Sequence, residues 1–272
     1  MKKVSIVILN YLNYKDTIEC VDSIIKMNYD IEGIVIVDNN SNNESFEVLS
    51  KKYKRINKII VVKTGKNYGF AKGNNIGIHI ARQKFHTDFI LVVNNDVIFM
   101  QKDYLKNLLE KYSEKVGVIG SEIHSKGNKV QKEHEVYVTL WENLVLWIGD
   151  LLESKKAKKW KILLPDLHIE KKVKALHGCA LLFTPDFFKY YQGFYSRTFL
   201  YNEEVILYLM CKKHNLVQKY VSNTFIYHKE DCSSELSFHN DCSAMSSYKW
   251  QSRKYAIWWI IKDKVHRHLT II

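Results

Sequence analysis

Five short apolar runs in the first 120 residues, separated by segments of helical character, restrict the fold of this chain more than any other feature. The runs do not alternate with polar residues, which is typical of strands buried on both faces of a sheet. Repeated strand–helix alternation predicts an α/β fold with a mostly parallel central sheet and helices on both faces. The predicted strands are residues 4–9, 34–38, 58–63, 89–93 and 116–120, and the predicted helices between them are 16–27, 43–53, 73–82 and 104–115.

Polar residues follow four of these predicted strands at the point where each strand ends. They are Asn10-Tyr11, Asp38-Asn39-Asn40, Lys66-Asn67-Tyr68-Gly69 and Asn94-Asn95-Asp96. Any one of these clusters is also explained as a turn, because Asn, Asp and Gly favour turns. Parallel strands, however, bring their carboxyl ends to one edge of a sheet, where ligands bind. The sequence therefore predicts a ligand site at that edge.

Residues 122–175 interrupt the alternation and have no clear period, which predicts an insertion rich in Lys, Glu and Trp. The strand–helix pattern then resumes with a strand at 177–184, helices from Pro185 and over 203–213, and a strand within 217–227. The tail, 243–264, has helical character. We expect one domain over residues 1–230 and a C-terminal helical extension over 231–272.

The net charge favours an anionic partner and the cysteine content indicates a cellular compartment, but neither identifies the partner. Lys and Arg exceed Asp and Glu by 41 − 29 = 12, which favours a nucleotide diphosphate, an anionic membrane or a nucleic acid. Five cysteines without a CxxC pair indicate a reducing compartment. With neither a signal peptide nor an apolar run of about 20 residues, we expect a cytoplasmic protein, with peripheral membrane association as an alternative.

An ordered set of motifs carries a resemblance to a known family. The set is VSIVILNY (4–11), IVIVDNNS (34–41), KNYGFAKGNNIG (66–77), LVVNNDV (91–97), HGCALLF (177–183), FLYNEEVILYL (199–209) and His228 in IYHKEDCSS. Over about residues 3–230 the chain resembles family 2 glycosyltransferases of the GT-A (Rossmann-like) fold, and within them the bacterial rhamnosyltransferase-like subgroup. The resemblance implies inverting transfer of a sugar from a UDP- or dTDP-activated donor to a hydroxyl of a glycan acceptor.

The same resemblance implies a biological setting. The setting is synthesis of bacterial surface or capsular polysaccharide, in which the glycan acceptor can be lipid-linked. The insertion at 122–175 is expected to carry acceptor-binding elements. The donor sugar, the linkage and the oligomeric state are left open by the sequence.

The resemblance assigns nucleotide-sugar binding to the strand ends and to the helix that follows the third strand. Asp38 is expected to accept the N3–H of uracil or thymine, with Asn10 and Tyr11 beside it. Gly69 is expected to allow close backbone approach, and the following helix N-terminus to favour the diphosphate. The full implied set is Asn10, Tyr11, Asp38, Asn67, Gly69, Phe70, Asn74, Asn94 and Asn95.

A divalent metal, Mn²⁺ or Mg²⁺, is implied at the position of the family's DxD motif. Asp96 is the implied carboxylate ligand, since hard cations prefer oxygen ligands. Asn94 stands where the first Asp is usual, which lowers the charge but keeps an acceptor oxygen. His228 matches a histidine that completes the metal site in some relatives, and imidazole suits manganese better than magnesium.

The general base is implied at Glu204, with Glu203 as the second candidate. A carboxylate within hydrogen-bond reach of the acceptor hydroxyl takes its proton during attack on the anomeric carbon. Both acids also suit the first turn of a helix after Asn202, so a purely structural role is an alternative. Ile206 and Met210 stand where the family tends to carry Asp and Arg, which keeps a catalytically impaired relative among the alternatives.

Other functions were weighed on the same residues. A nucleic-acid-binding protein would need a basic stripe or a known module, and the sequence shows neither, so no nucleic-acid partner is expected. A nucleotidyltransferase would carry a Gly-rich loop with Arg and Lys after the first strand, where this chain reads NYLNYKD. The residue types of His228, Cys232, His239 and Cys242 suit zinc, but their spacing does not. The Trp- and Lys-rich tail is typical of an interfacial helix or of a helix that packs on the domain.

Overall fold

The computed structural model describes residues 1–131, 134–155, 172–230 and 242–269. The strands are β1 (Val4–Asn10), β2 (Gly33–Asp38), β3 (Ile59–Lys63), β4 (Phe89–Asn94), β5 (Val97–Ile98), β6 (Val116–Ser125), β7 (Lys129–Gln131), β8 (His134–Tyr137), β9 (Lys172–Ala175), β10 (Ala180–Phe183) and β11 (Val217–His228). The helices are α1 (Tyr14–Ile25), α2 (Ser45–Tyr53), α3 (Gly69–Phe85), α4 (Tyr104–Glu110), α5 (Leu140–Ser154), α6 (Pro185–Phe188), α7 (Glu203–Lys213) and α8 (Cys242–Leu269).

The central sheet has the strand order β3-β2-β1-β4-β10-β6-β11-β5, with β7 on the end of β6. Its first four strands are parallel, as expected, and β11 is parallel to β6. β10 runs antiparallel to both of its neighbours, β4 and β6. The reason lies in the connection: β6 ends at the edge where β4 ends, and the insertion returns the chain to that edge without a crossover helix. The second half of the sheet is therefore mixed.

Helices cover both faces of the sheet, as the unbroken apolar runs predicted. Alternate residues of β1 point to opposite faces, with Ile6 and Ile8 in one buried cluster and Val7 in the other. The first cluster is completed by α1, α2 and α4, and the second by α3, α6, α7 and α8. The α/β fold class is confirmed, and the strand ends are held between two packed layers.

The structure corrects several element boundaries: α1 begins at Tyr14 rather than 16, α4 ends at Glu110 rather than 115, and β10 is shorter than the predicted 177–184. α3 begins at Gly69 rather than at residue 73, because the φ of Gly69 is +75° and the chain turns directly into the helix. β6 extends to Ser125 rather than ending at 120, because its ladder with β11 continues to the pair of His124 and Tyr227. The longer β6 therefore extends further toward the edge of the sheet where the polar clusters lie.

The insertion contains more regular structure than its sequence indicated. β8 and β9 pair as a separate antiparallel ribbon, and α5 lies between them in the chain. α5 begins with a capping box in which Thr139 and Glu142 satisfy each other's backbone N–H groups. This T-x-x-E signal was present in the sequence and was missed. Residues 132–133 and 156–171 of the insertion lie outside the described part of the chain.

The C-terminal helix α8 packs on the rest of the domain through aromatic side chains. Tyr248 stacks on Phe199 with ring centroids 4.9 Å apart, and Trp250 stacks on Trp147 of α5 at 5.7 Å. Trp258, in contrast, keeps 44% of its surface exposed. Packing on the domain thus accounts for most of the tail's aromatic residues. Within the described residues, no helix combines the length and apolar character needed to cross a bilayer.

The close approach of α3 to the sheet yields a stability prediction. A Cβ at Gly77 would lie 2.4 Å from Cγ1 of Val7 and 3.0 Å from Cγ2 of Val37, so Gly77→Val forces the helix away from β1 and β2. Overpacking of this kind costs about 1–3 kcal/mol. We expect the free energy of unfolding, measured by urea denaturation, to fall by that amount. Gly65→Val is the control, since no atom lies within 4 Å of its added Cβ. Equal effects of the two substitutions would contradict this account.

Candidate active site

The structure brings the four polar clusters to one edge of the sheet, as predicted. β1 pairs with both β2 and β4, so Asn10 lies opposite Asp38 and Leu9 lies opposite Asn94. The backbone N–H of Asn94 donates to the carbonyl of Cys179 at 2.8 Å, which joins the start of β10 to the same edge. The site is therefore built from segments that are distant in sequence.

Asp38 is held in a buried hydrogen-bond network. Its Oδ2 accepts from Nδ2 of Asn10 at 2.7 Å, and its Oδ1 accepts from the backbone N–H of Ser41 at 2.9 Å. The Thr17 hydroxyl in turn donates to Oδ1 of Asn10 at 2.7 Å. Asp38 and Asn10 are both 0% exposed. Both oxygens of the Asp38 carboxylate are therefore engaged within the protein, and the side chain is closed to solvent.

Asn67 and Asn39 shape the loop before α3. Oδ1 of Asn67 accepts from the Gly69 N–H at 2.9 Å and from Nδ2 of Asn39 at 2.9 Å. Asn39 also accepts from the Tyr68 N–H at 3.0 Å through its own Oδ1. Asn67 was predicted as a ligand-binding residue, and its oxygen is engaged in the turn. Asn39 was named only as part of a polar cluster, although it links β2 to this loop.

Gly69 allows a close approach between two backbone segments of the protein itself. A Cβ there would lie 2.1 Å from the carbonyl oxygen of Phe199, and the Phe70 N–H donates to that oxygen at 2.7 Å. A diphosphate was expected to accept hydrogen bonds from the first turn of α3. One N–H of that turn, on Phe70, already donates to a carbonyl of the protein itself. Asn74 is buried one turn later, and its Oδ1 has no hydrogen-bond partner among the described residues.

Asp96 and His228 form the pair that was predicted to hold a metal. β5 and β11 pair at this point, and Oδ1 of Asp96 lies 3.2 Å from Nε2 of His228. Adjacent ligands of an octahedral ion with bonds of about 2.1 Å are about 3.0 Å apart, so the pair suits two positions on one metal. In the described part of the chain, no three His, Cys, Asp or Glu side chains cluster for a metal. A metal here would need further ligands beyond the His, Cys, Asp and Glu side chains of the described residues.

The two asparagines that precede Asp96 lie in different environments. Asn94 lines a cavity beside the pair, whereas Asn95 turns away and donates to the carbonyl of Asn13 at 3.0 Å. Asn95 therefore positions the start of α1. Of the residues considered for zinc, Cys232 and His239 lie outside the described residues, as does the side chain of Cys242.

A cavity of about 520 Å³ opens next to this edge of the sheet. One wall comes from the sheet edge, through Asn94, His177 and Cys179, and Phe70 of α3 adjoins it. The start of α7 forms a second wall of the cavity. The insertion and α8 form a third wall, through Leu146, Lys249 and Arg253 among others. A space of this size accommodates a sugar and part of an acceptor.

The two adjacent glutamates occupy different environments within this cavity. Glu203 is 6% exposed, and burial, followed by the nearby Glu204 carboxylate, raises the pKa of Glu203 well above 4.5. Glu204 is half-buried and faces Gly178, where a Cβ would lie only 2.8 Å from Oε1 of Glu204. A neutral acid cannot take a proton, so the raised pKa argues against Glu203 as a general base. Gly178, missed by the sequence analysis, leaves room for the Glu204 carboxylate.

The start and the middle of α7 differ from what its sequence indicated. Asn202 occupies the N-cap position, but its side chain makes no capping bond and donates to the Lys249 carbonyl at 3.4 Å. Ile206 and Met210 are 1% and 3% exposed and belong to the apolar core. Polar residues at these two positions would face the core, so the apolar replacements stabilise the packing of α7.

Comparisons with known proteins agree with the geometry. The model described as "Glycosyl transferase family 2" matches residues 5–183. Glycosyltransferase GlyG of Streptococcus pneumoniae serotype 4 is 28% identical over 112 residues, 41% of this chain and 36% of that protein. The low-salt glycan biosynthesis hexosyltransferase Agl10 of Haloferax volcanii is 22% identical over 213 residues, 78% of this chain and 62% of that protein. The chain thus spans less than two thirds of either relative.

Solved structures of TarS from S. aureus share the fold. The TarS 1-349 complex with UDP-GlcNAc superposes with a TM-score of 0.58 at 16% identity, covering 86% of this chain and 60% of TarS 1-349. The complex with UDP has a TM-score of 0.54 at 16% identity, covering 90% of this chain and 65% of TarS 1-349. These likenesses confirm the predicted GT-A-like fold.

The burial of Glu203 predicts a pH dependence of stability. Because its folded-state pKa is raised, the stability it contributes is complete below about pH 4.5 and is lost as pH rises toward the folded-state value. Relative to Glu203→Gln, the wild-type protein should lose up to about 1.4 kcal/mol of unfolding free energy per pH unit in that window. Urea denaturation at several pH values measures this difference. The exposed Glu110→Gln is the control, and a pH-independent difference for Glu203→Gln would rule out a buried neutral acid.

Proposed function

This chain belongs to glycosyl transferase family 2, and we propose that it transfers a sugar from a UDP- or dTDP-activated donor to a glycan hydroxyl with inversion. The observation that carries the proposal is the position of Glu204. Its carboxylate faces a cavity whose other wall is the edge of the sheet that also presents Asp96 and His228. A base and a diphosphate-binding edge on one cavity are what sugar transfer from a nucleotide requires.

The donor binds at the sheet edge in this proposal. Asp38, oriented by Asn10, accepts the N3–H of the base once the edge opens, and Asn94 contacts the ribose or sugar. Asp96 and His228 would hold a divalent metal, and such an ion would supply positive charge to neutralise a diphosphate leaving group. The TarS complexes with UDP-GlcNAc and UDP, which share the fold, support a UDP-linked donor.

The acceptor hydroxyl is activated by Glu204. As the acceptor oxygen attacks the anomeric carbon from the face opposite the nucleotide, its proton passes to the Glu204 carboxylate. No covalent bond to the enzyme forms, so the configuration is inverted. Glu203 remains protonated beside it, and its neutrality avoids a second negative charge near the attacking oxygen.

The biological setting in this proposal is the synthesis of a bacterial surface glycan. The order of the sequence motifs favours the rhamnosyltransferase-like subgroup and surface or capsular polysaccharide synthesis. Trp258 and Ile261 of α8, 44% and 45% exposed, lie near the exposed Lys254 and Lys262 on the same helix. Such a face suits peripheral contact with the anionic inner surface of a cell membrane, where a lipid-linked acceptor would be presented.

A thermal-shift screen tests the donor class and the metal together. UDP, dTDP, GDP, CMP and ADP are each added with and without Mn²⁺, because a ligand that binds only the folded state raises its melting temperature. We expect a metal-dependent shift with UDP or dTDP only. Asp96→Asn should abolish the metal-dependent part, while Asp103→Asn, an exposed carboxylate before α4, should keep it.

Two results of this screen would contradict the proposal. If no nucleotide shifts the melting temperature, the chain is an impaired relative or a nucleic-acid-binding protein, and salt-dependent retention on DNA separates the two. If Asp96→Asn leaves the Mn²⁺ effect intact, the metal is held elsewhere.

Glu204→Gln separates binding from chemistry. It removes the base but keeps the size of the side chain, so the shift with donor nucleotide should persist while kcat falls about 100-fold or more. Release of nucleoside diphosphate from the donor that the screen identifies measures kcat. The control is Glu110→Gln, on the exposed end of α4. Near-normal turnover of Glu204→Gln would move the base to another residue.

A further inference from the structure

Lys249 and Arg253 bring two cations into the cavity from the C-terminal helix. They lie one turn apart on the same face of α8, and both line the cavity that contains Glu204. The helix is fixed there, because the Ser252 hydroxyl donates to the Leu200 carbonyl at 2.7 Å and Asn202 donates to the Lys249 carbonyl. The two cations are thus anchored beside the first turn of α7.

Within the described residues Lys249 makes no salt bridge, although the nearby Asp150 carboxylate interacts with it electrostatically. The contact that its ammonium makes is with the face of the Tyr201 ring, 5.3 Å from the centroid. Lys249 therefore shares the Asp150 carboxylate with Arg253, so neither cation has a carboxylate to itself. A half-buried cation in such a position favours an anionic ligand.

Arg253 is only partly satisfied by its neighbour. Its Nε donates to Oδ2 of Asp150 at 2.6 Å, and the two side chains are 13% and 12% exposed. Burial raises the pKa of Asp150 in spite of this contact. Within the described part of the chain, the terminal guanidinium nitrogens of Arg253 donate no hydrogen bond. They are suited to the paired oxygens of a phosphate or carboxylate.

The position of the pair favours the acceptor over the donor. The residues proposed for the nucleotide lie at the strand ends, whereas Lys249 and Arg253 lie on the wall formed by α5 and α8. Glu204 stands between these two walls on α7, and it must contact the acceptor hydroxyl. An anion held on the helical wall therefore belongs to the molecule that Glu204 deprotonates.

We infer that Lys249 and Arg253 form a subsite for an anionic group, phosphate or carboxylate, on the glycan acceptor. The inference rests on the proposed function, since it takes Glu204 as the base of sugar transfer. It explains how a chain with apolar residues at 206 and 210 still presents positive charge in the cavity: the cations come from α8 instead of α7. Acceptors without a negative charge should then be poor substrates.

The test uses matched sugar probes on the nucleotide-saturated protein. Isothermal titration with glucose 6-phosphate, glucuronate and glucose is carried out in the presence of UDP or dTDP and Mn²⁺. At least one anionic probe should bind about 10-fold or more tightly than glucose, the scale of a charge-assisted hydrogen bond. Lys249→Gln should remove that preference and Lys249→Arg should restore it. Lys254→Gln, one residue beyond Arg253 on the exposed side, is the control.

Each result decides the assignment. A preference for glucose 6-phosphate identifies a phosphate subsite, and a preference for glucuronate identifies a carboxylate subsite. Equal binding of all three probes, or a preference that Lys249→Gln leaves unchanged, overturns the inference. Loss of nucleotide affinity in Lys249→Gln also overturns it, because the cation would then contact the donor diphosphate. If the wild-type protein binds no nucleotide, the proposed function itself has failed.

Discussion

The parallel pairing of β1 with β2 on one side and β4 on the other is the constraint on which the site depends. It places the ends of three strands side by side, so that Asn10, Asp38 and Asn94 come from 28 to 84 residues apart in sequence to one edge. The pairing is stable because both faces of these strands are buried, with α1 and α2 on one side and α3 on the other. Every proposed donor contact follows from that edge.

Much of this arrangement could be predicted from the sequence, because the features that determine it are local. An unbroken apolar run such as Val4–Leu9 indicates a doubly buried strand, and the polar residues after it indicate the edge where ligands bind. The pairing of Asp96 with His228 was predicted only through the family resemblance, since 131 residues separate them in the chain. Their roles toward a metal stay predictions, as do the roles of the nucleotide-binding set.

What the sequence could not predict depends on contacts between distant segments. Gly69 lies against the Phe199 carbonyl, a contact that its own sequence context does not reveal, and its expected approach to a ligand stays a prediction. Asn67 was expected to bind the donor, but its oxygen is used by Asn39 and Gly69. The tail was considered only as a membrane or packing helix, and no periodicity could show that Lys249 and Arg253 reach the cavity.

The adjacent acids Glu203 and Glu204 lie in different environments at the start of α7. Both glutamates of this helical turn line the cavity, but Glu203 is buried and Glu204 is half-buried. Desolvation raises the pKa of Glu203 well above its ordinary value. The apolar residues at 206 and 210 extend the core-facing side of α7, which leaves that helix without a cation for the cavity. Because α8 packs across the start of α7, it can supply the positive charge without burying it in the core. The position of α8 therefore determines the charge in the cavity as well as the packing of the domain.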